Sequence, residues 1–354
     1  MAKVKLCFFG LRKSLKKLKY FNTSIFLVLV LLLVPLPVRA QEVKQFGDGL
    51  ATNSQSHKIE DTRSLSHYIL GNYYEVLGDL KEAAGQYRKA QETDPGSSLI
   101  YLNLASVSLR EGNPDLAIEE LKQSVKLNPE AVEPHALLAL IYTAQNNPDL
   151  ASGEYVLALE NASKLEPGNI DIYKGLGGAY LQQKKLKQAE GIFKLVSNIS
   201  PEDAETHLYL GDIYYNLKDY SSVEKELNAA LKLKPDYAEA LNFLGYFYLE
   251  QDKNIDQAGI MIRRALALDK GNGAYLDSLG WFYYKKGKFK EAQNYLEQAA
   301  SVLSDPEIYN HLGDTFLKLG DLSNAKLNWE KSLKLNSQQD EVKTKILQLT
   351  INGK

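Results

Sequence analysis

A Leu-Gly or Leu-Ala pair recurs through this chain at Leu70-Gly71, Leu104-Ala105, Leu138-Ala139, Leu176-Gly177, Leu210-Gly211, Leu244-Gly245, Leu279-Gly280 and Leu312-Gly313. The small residues are spaced by 34, 34, 38, 34, 34, 35 and 33 positions. Three residues after each stands an aromatic: Tyr74, Tyr142, Tyr180, Tyr214, Tyr248, Tyr283 and Phe316, with Ser108 the exception. The Leu and the aromatic are four apart, on one helical face. A second small residue returns at Ala83, Ala117, Ala151, Ala189, Val223, Ala258, Ala292 and Ala325. Turn residues lie between the two marks, as in Gly78-Asp79, Gly112-Asn113-Pro114-Asp115 and Gly320-Asp321. Five copies close on Pro95, Pro129, Pro167, Pro201 and Pro235, which cannot continue a helix. Each copy is thus two helices around one turn. Neither helix can bury its apolar stripe alone, so the copies must stack.

The spacing and the L-G-x-x-Y … A … P order resemble the tetratricopeptide repeat. The resemblance implies an all-α protein, an α-solenoid winding as a right-handed superhelix of about eight helix–turn–helix repeats. These are expected at residues 64–97, 98–131, 132–169, 170–203, 204–237, 238–272, 273–305 and 306–339. The third copy is four residues longer, about one extra turn in its second helix near Tyr155–Leu165. The sixth carries one extra residue around Asp252–Ile255. Residues 340–354, with Val342, Ile346 and Leu349 at helical spacing, read as a capping helix and tail that close the array.

Residues 1–40 hold eight basic side chains and no acidic one. A basic start, the apolar run from Ile25, then Pro35, Pro37 and Val38-Arg39-Ala40 give the order of a secretory signal. The mature start is expected near Gln41, with the chain periplasmic or otherwise associated with the cell envelope. An uncleaved membrane anchor is the rival, and it also puts the body outside the cytoplasm. Residues 41–63 read as a flexible spacer. Beyond residue 40 there remain 34 basic and 44 acidic groups, a net charge of −10. That excludes general nucleic-acid binding, which needs a basic surface.

Catalytic and cofactor signatures are missing. The single cysteine, Cys7, precedes the apolar run, so it is neither a disulfide partner nor a lipid-accepting residue at the cut. There is no P-loop, G-x-S-x-G or G-x-G-x-x-G. His67, His135 and His207 share one repeat position and read as structural, and no histidine has a metal-ligand spacing. No enzyme, cofactor or metal is expected.

Function is therefore expected in the concave groove, which in this family is lined by the first helix of each repeat. The groove positions of the last four repeats hold Asp212, Tyr215, Asn242, Tyr246, Asp277, Trp281, Tyr284, Asn310 and Asp314. Rings beside Asp and Asn suit a protein or peptide partner of basic or polar character. They also suit a sugar chain. The clamp that chaperone-binding members use for a terminal carboxylate is absent, since only Lys174 stands in such a role. Residues 242–334 further resemble exported bacterial repeat proteins that act as envelope adaptors or in polysaccharide export. Two roles follow: a non-enzymatic interaction scaffold, or a carbohydrate-binding scaffold for cell-wall or exopolysaccharide machinery.

Overall fold

A computed structural model describes residues 62–352, so the leader expected at residues 1–40 and all but the end of the spacer expected at 41–63 lie outside the described residues, and the spacer's last two residues, Thr62 and Arg63, open the first helix instead. Among the described residues there are seventeen α-helices and no strand. None is long and apolar enough to cross a membrane. They fall into two compact bodies that divide after Ile199. The N-terminal body holds α1 (Thr62–Leu77), α2 (Leu80–Thr93), α3 (Ser98–Arg110), α4 (Pro114–Leu127), α5 (Val132–Ala144), α6 (Pro148–Leu165), α7 (Ile170–Gln182) and α8 (Leu186–Ile199). The C-terminal body holds α9 (Ala204–Leu217), α10 (Tyr220–Leu233), α11 (Ala238–Glu250), α12 (Ile255–Leu268), α13 (Gly273–Lys285), α14 (Phe289–Val302), α15 (Pro306–Lys318), α16 (Leu322–Leu335) and α17 (Asp340–Asn352).

Local chemistry sets the helix ends. The Asp79, Asn147, Asp219 and Asp321 side chains accept hydrogen bonds from Glu82, Leu150, Ser222 and Asn324 N–H, which caps four of the second helices. Pro114, Pro148 and Pro306 open helices at a position where a missing N–H costs nothing. Each second helix with a closing proline ends two residues before it, because that ring disfavours helical backbone in the residue preceding it. The extra residue of the sixth repeat lies in the turn before α12, where Asp252 and Asn254 are both left-handed (φ 48° and 50°). The four extra residues of the third repeat lengthen α6 to 18 residues, against 14 for α4 and α8.

Each helix pair interlocks by one rule. The small residue of the Leu-Gly pair faces a large side chain sixteen or seventeen positions on, in the second helix. Gly71 faces Tyr87, Gly177 faces Phe193, Gly211 faces Leu227, Gly245 faces Ile262, Gly280 faces Leu296 and Gly313 faces Trp329. A Cβ on Gly245 would lie 2.8 Å from Ile262 Cγ1 and 3.0 Å from the Ala258 carbonyl. Backbone cannot yield there, so the absent side chain is what lets the helices approach. Tyr87, Leu227, Ile262 and Leu296 are fully buried in consequence. The C-terminal body closes on α17, whose Val342 is buried and whose Ile346 and Leu349 pack on the Leu296–Trp329 core.

Candidate functional site

Successive first helices of the C-terminal body pack on one another, α11 against α13 and α13 against α15. The residues expected on an open groove therefore meet at the seams between these helices. Asp212, Tyr215, Tyr246, Asp277 and Asn310 are buried, contrary to the sequence expectation of an open face. Asn242, Trp281, Tyr284 and Asp314 keep partial exposure. Tyr215 packs among Tyr220, Phe243 and Phe247, with ring centroids 5.7–6.2 Å away. Asp212 is sealed in with Asn216, whose amide lies 3.3 Å from its Oδ1. Desolvation pushes the Asp212 carboxyl up to about 7, and the Asn216 contact offsets only part of that.

Trp281 is not an open platform. Its indole stacks on Tyr284 at 4.5 Å and on His311 at 4.1 Å, with interplanar angles of 9° and 15°. Its Nε1–H donates to Glu250 Oε1 at 3.1 Å, and Lys285 Nζ lies 5.5 Å from the ring. His311 was given no role by the sequence, yet it is the hub. Its Nδ1 bonds Asp277 Oδ1 at 2.9 Å, and its Nε2 lies 3.5 Å from Glu307 Oε1. Tyr246, from two repeats earlier, approaches its ring at 6.4 Å. Burial opposes a charge on His311, but the Asp277 carboxylate, the hydrogen bond to it, Glu307 and Glu250 together push it up to about 9. Desolvation lifts Glu307 to about 7 against the opposing pull of His311. Burial drives the Tyr246 phenol far up, so it stays neutral.

The His311–Asp277 contact belongs to a recurring bridge. In each case a donor one position before the Leu of a first helix, or before Ile346 of the capping helix, reaches back to the preceding first helix. Asn103 Nδ2 donates to Tyr68 OH (3.1 Å) and Asn72 Oδ1 (3.0 Å), 35 and 31 residues earlier. Lys345 Nζ donates to Asn310 Oδ1 (3.0 Å) and Asp314 Oδ2 (2.7 Å), again 35 and 31 residues earlier. His311 does the same to Asp277, 34 residues earlier, and stacks on Trp281. Asp314 also accepts from Trp329 Nε1 at 3.1 Å, tying the seam to the second helix. The acceptors are marked in the sequence by their place within a repeat, and the donors are not, because each bridge joins different positions of neighbouring repeats.

The three other described histidines each bond to the second helix of their own repeat. His67, His135 and His207 lie 2.8, 2.6 and 2.7 Å from Gln86, Glu154 and Glu226, each 19 residues on. The contact joins first helix to second and is structural. Among the described residues no group of three or more His, Cys, Asp or Glu is placed to hold a metal ion.

Models of the tetratricopeptide repeat match residues 102–164, 150–208, 204–237, 224–273 and 278–332. The chain is 26% identical over 252 residues to a TPR repeat-containing protein of Pseudomonas aeruginosa, covering 70% of this chain and 36% of the relative. It is 29% identical to the type IV pilus assembly protein PilF of the same organism, over 25% of this chain and 34% of that one. It thus spans about a third of the length of these curated relatives. The crystal structure of the APC/C hetero-tetramer Cut9–Hcn1 is similar with a TM-score of 0.54 at 16% identity, over 87% of this chain and 59% of that one. That likeness concerns the fold. The matched residues, the paired helices and the small-against-large interlock agree: this chain belongs to the tetratricopeptide repeat family.

Proposed function

We propose that this chain is a non-enzymatic adaptor of the bacterial envelope that holds a protein or peptide partner along α11, α13 and α15. Tetratricopeptide repeats are protein-interaction scaffolds, and the likeness to a pilus assembly protein fits a chain that helps other proteins assemble. The observation that carries the placement is the partly exposed row of Asn242, Trp281, Tyr284 and Asp314 on successive first helices. Aromatic and polar groups held rigidly in a row make anchors that lose little freedom on binding. The envelope assignment rests on the basic, apolar and small-residue order of residues 1–40.

A photo-crosslinking residue tests the placement. It is introduced at Tyr284 or Leu317 on first helices, and at exposed Ile260 or Leu327 on second helices. Protein crosslinks from the first-helix positions in living cells are expected, and crosslinks confined to Ile260 and Leu327 would overturn it. N-terminal sequencing of the envelope fraction tests export, with a start near Gln41 expected. A cytoplasmic chain beginning at Met1 would contradict it.

A further inference from the structure

The bridge is built at three seams; elsewhere its donor position holds Leu137, Gly175, Tyr209, Phe243 or Ser278, and among the described residues the Ser278 seam is where the facing acceptor is left buried and open. Where α13 meets α11, the position that holds Asn103, His311 and Lys345 in the other bridges holds Ser278. Its hydroxyl turns back to donate to the Ala274 carbonyl of its own helix at 3.0 Å. No donor then reaches Asn242, whose Oδ1 is buried without a hydrogen-bond partner. The neighbouring acceptor in the same column, Asp277, is fully buried, spends Oδ1 on His311, and leaves Oδ2 without a partner. Among the described residues the only other side-chain atom in this condition is Ser97 Oγ. Two unpaired buried acceptors on adjacent first helices are costly to leave so, since each has given up water without gaining a donor.

The molecule shows what fills such a place. One repeat further on, the column is Asn310, and there the ammonium of Lys345 enters from α17 and satisfies both Asn310 and Asp314. The open seam has the same acceptor chemistry, with Glu250 close by on Trp281 Nε1. Asn242 and Trp281 keep partial exposure, so the rim of the seam reaches the surface while both acceptor atoms lie buried within it.

We propose that a lysine or arginine side chain of the partner seats its cationic group at the α11–α13 seam, donating to Asn242 Oδ1 and Asp277 Oδ2 as Lys345 donates at the next column. This rests on the placement of the partner along these first helices. It narrows that partner to one carrying a basic side chain at its anchoring position.

The test uses the full chain and short fluorescein-labelled peptides of alternating lysine and alanine, with glutamine and glutamate in place of lysine as controls. The acidic body attracts any cationic peptide, so the decisive variants leave charge unchanged. Asn242→Leu removes the open carbonyl, and Ser278→Asn supplies the donor that Asn103 supplies elsewhere. Each is expected to weaken the lysine peptide ~tenfold or more while the unfolding midpoint holds or rises. Equal binding of lysine and glutamine peptides, or wild-type affinity in Asn242→Leu, would overturn the proposal. Should Ser278→Asn fail to fold, Asn242→Leu decides alone, because removing an unpaired acceptor leaves packing intact. First-helix crosslinks without lysine-peptide binding would sink this inference and leave the adaptor reading standing. Crosslinks confined to second helices would sink both.

Discussion

The N-terminal and C-terminal bodies solve one problem with different chemistry. In both, a donor on one first helix reaches the same two columns of the preceding one. At the α1–α3 seam the bridge is made by a neutral side chain. Asn103 shares Tyr68, Asn72 and Tyr87, and Tyr87 OH lies 2.6 Å from Asn72 Oδ1 and 2.7 Å from Glu75 Oε2. Glu75 is further held by Arg110 at 3.2 Å. In the C-terminal body the donors are His311 and Lys345 and the acceptors the Asp277 and Asp314 carboxylates with the Asn310 amide oxygen. A neutral network can close on itself, because hydroxyls and amides both give and accept. A charged one needs a separate donor for every acceptor, since carboxylates only accept and ammonium groups only donate. The open acceptors Asn242 Oδ1 and Asp277 Oδ2 fall in the C-terminal body, where Ser278 stands at the donor position and turns back on its own helix. Closed polar seams make rigid structure, and open ones leave somewhere to bind.

The largest expected effect comes from breaking the buried pair. Asp277→Ala leaves the His311 imidazolium without its partner in a sealed site, at a cost of about 3–5 kcal/mol. Replacing both with leucine should recover most of the loss, because a buried ion pair gains little over packed apolar groups. Both tryptophans, Trp281 and Trp329, lie in the C-terminal body, so fluorescence-detected urea unfolding follows that body alone. If Asp277→Ala unfolds at the wild-type midpoint, the pair carries no weight and the contrast between bodies collapses.

pH sharpens the contrast next. His311 stands near 9 in the folded chain against an ordinary 6.5. A group raised on folding gives stability that is full below 6.5 and disappears as pH rises through 9. Glu307 and Asp212, both held up to about 7, act in the same direction at lower pH, since unfolding frees them to ionise. The C-terminal body should therefore lose stability steadily from about pH 5 to 9, with His311 accounting for on the order of 3 kcal/mol between 6.5 and 9. The tryptophan-detected midpoint checks it, and a flat profile across pH 6.5–9 would remove His311 as a charged hub. His311→Leu should flatten the upper half of that profile only.

The repeat architecture was legible because it rests on spacing. Gly71 with Tyr87 and Gly313 with Trp329 are sixteen residues apart, and a period carries such pairs without any tertiary knowledge. The extra turn in α6 was legible for the same reason. The site was legible only in part. Column positions named Asp277, Trp281 and Asp314, but exposure depends on how one first helix lies against the next, and periodicity within a helix does not contain that. Tyr246 is buried on α11, which packs against α13, and Asp212 is sealed in beside Asn216. His311 and Lys345 would have been found by asking which residue 31–35 positions downstream of an acceptor carries a donor.

In the N-terminal body the matching break is Asn103→Ala. It removes one amide that serves three oxygens, of which Asn72 Oδ1 keeps the Tyr87 hydroxyl. The loss should be about 1–2 kcal/mol, smaller than at Asp277 because no charge is stranded. It should also be indifferent to salt and to pH between 6 and 9. Thermal melts followed by circular dichroism measure it. A loss that changes with salt would mean that the Glu75–Arg110 pair, and not the amide, holds this seam.

The smallest effect is expected at Lys345→Met. Its ammonium lies 2.7 Å from Asp314 Oδ2 and 3.0 Å from Asn310 Oδ1, but about a fifth of the side chain is exposed. A partly solvated pair of this kind contributes roughly 0.5–1 kcal/mol, and methionine keeps the apolar stem packed. Asp314 retains the Trp329 indole as a donor, so no carboxylate is stranded. The substitution nevertheless opens the Asn310 column in the way Ser278 leaves the Asn242 column open. A lysine peptide should then gain a second place to bind, visible as a doubled stoichiometry in titration calorimetry. Unchanged stoichiometry with unchanged affinity would show that Lys345 and the partner's cation do not occupy equivalent positions, and that the likeness between the two columns ends at the acceptors.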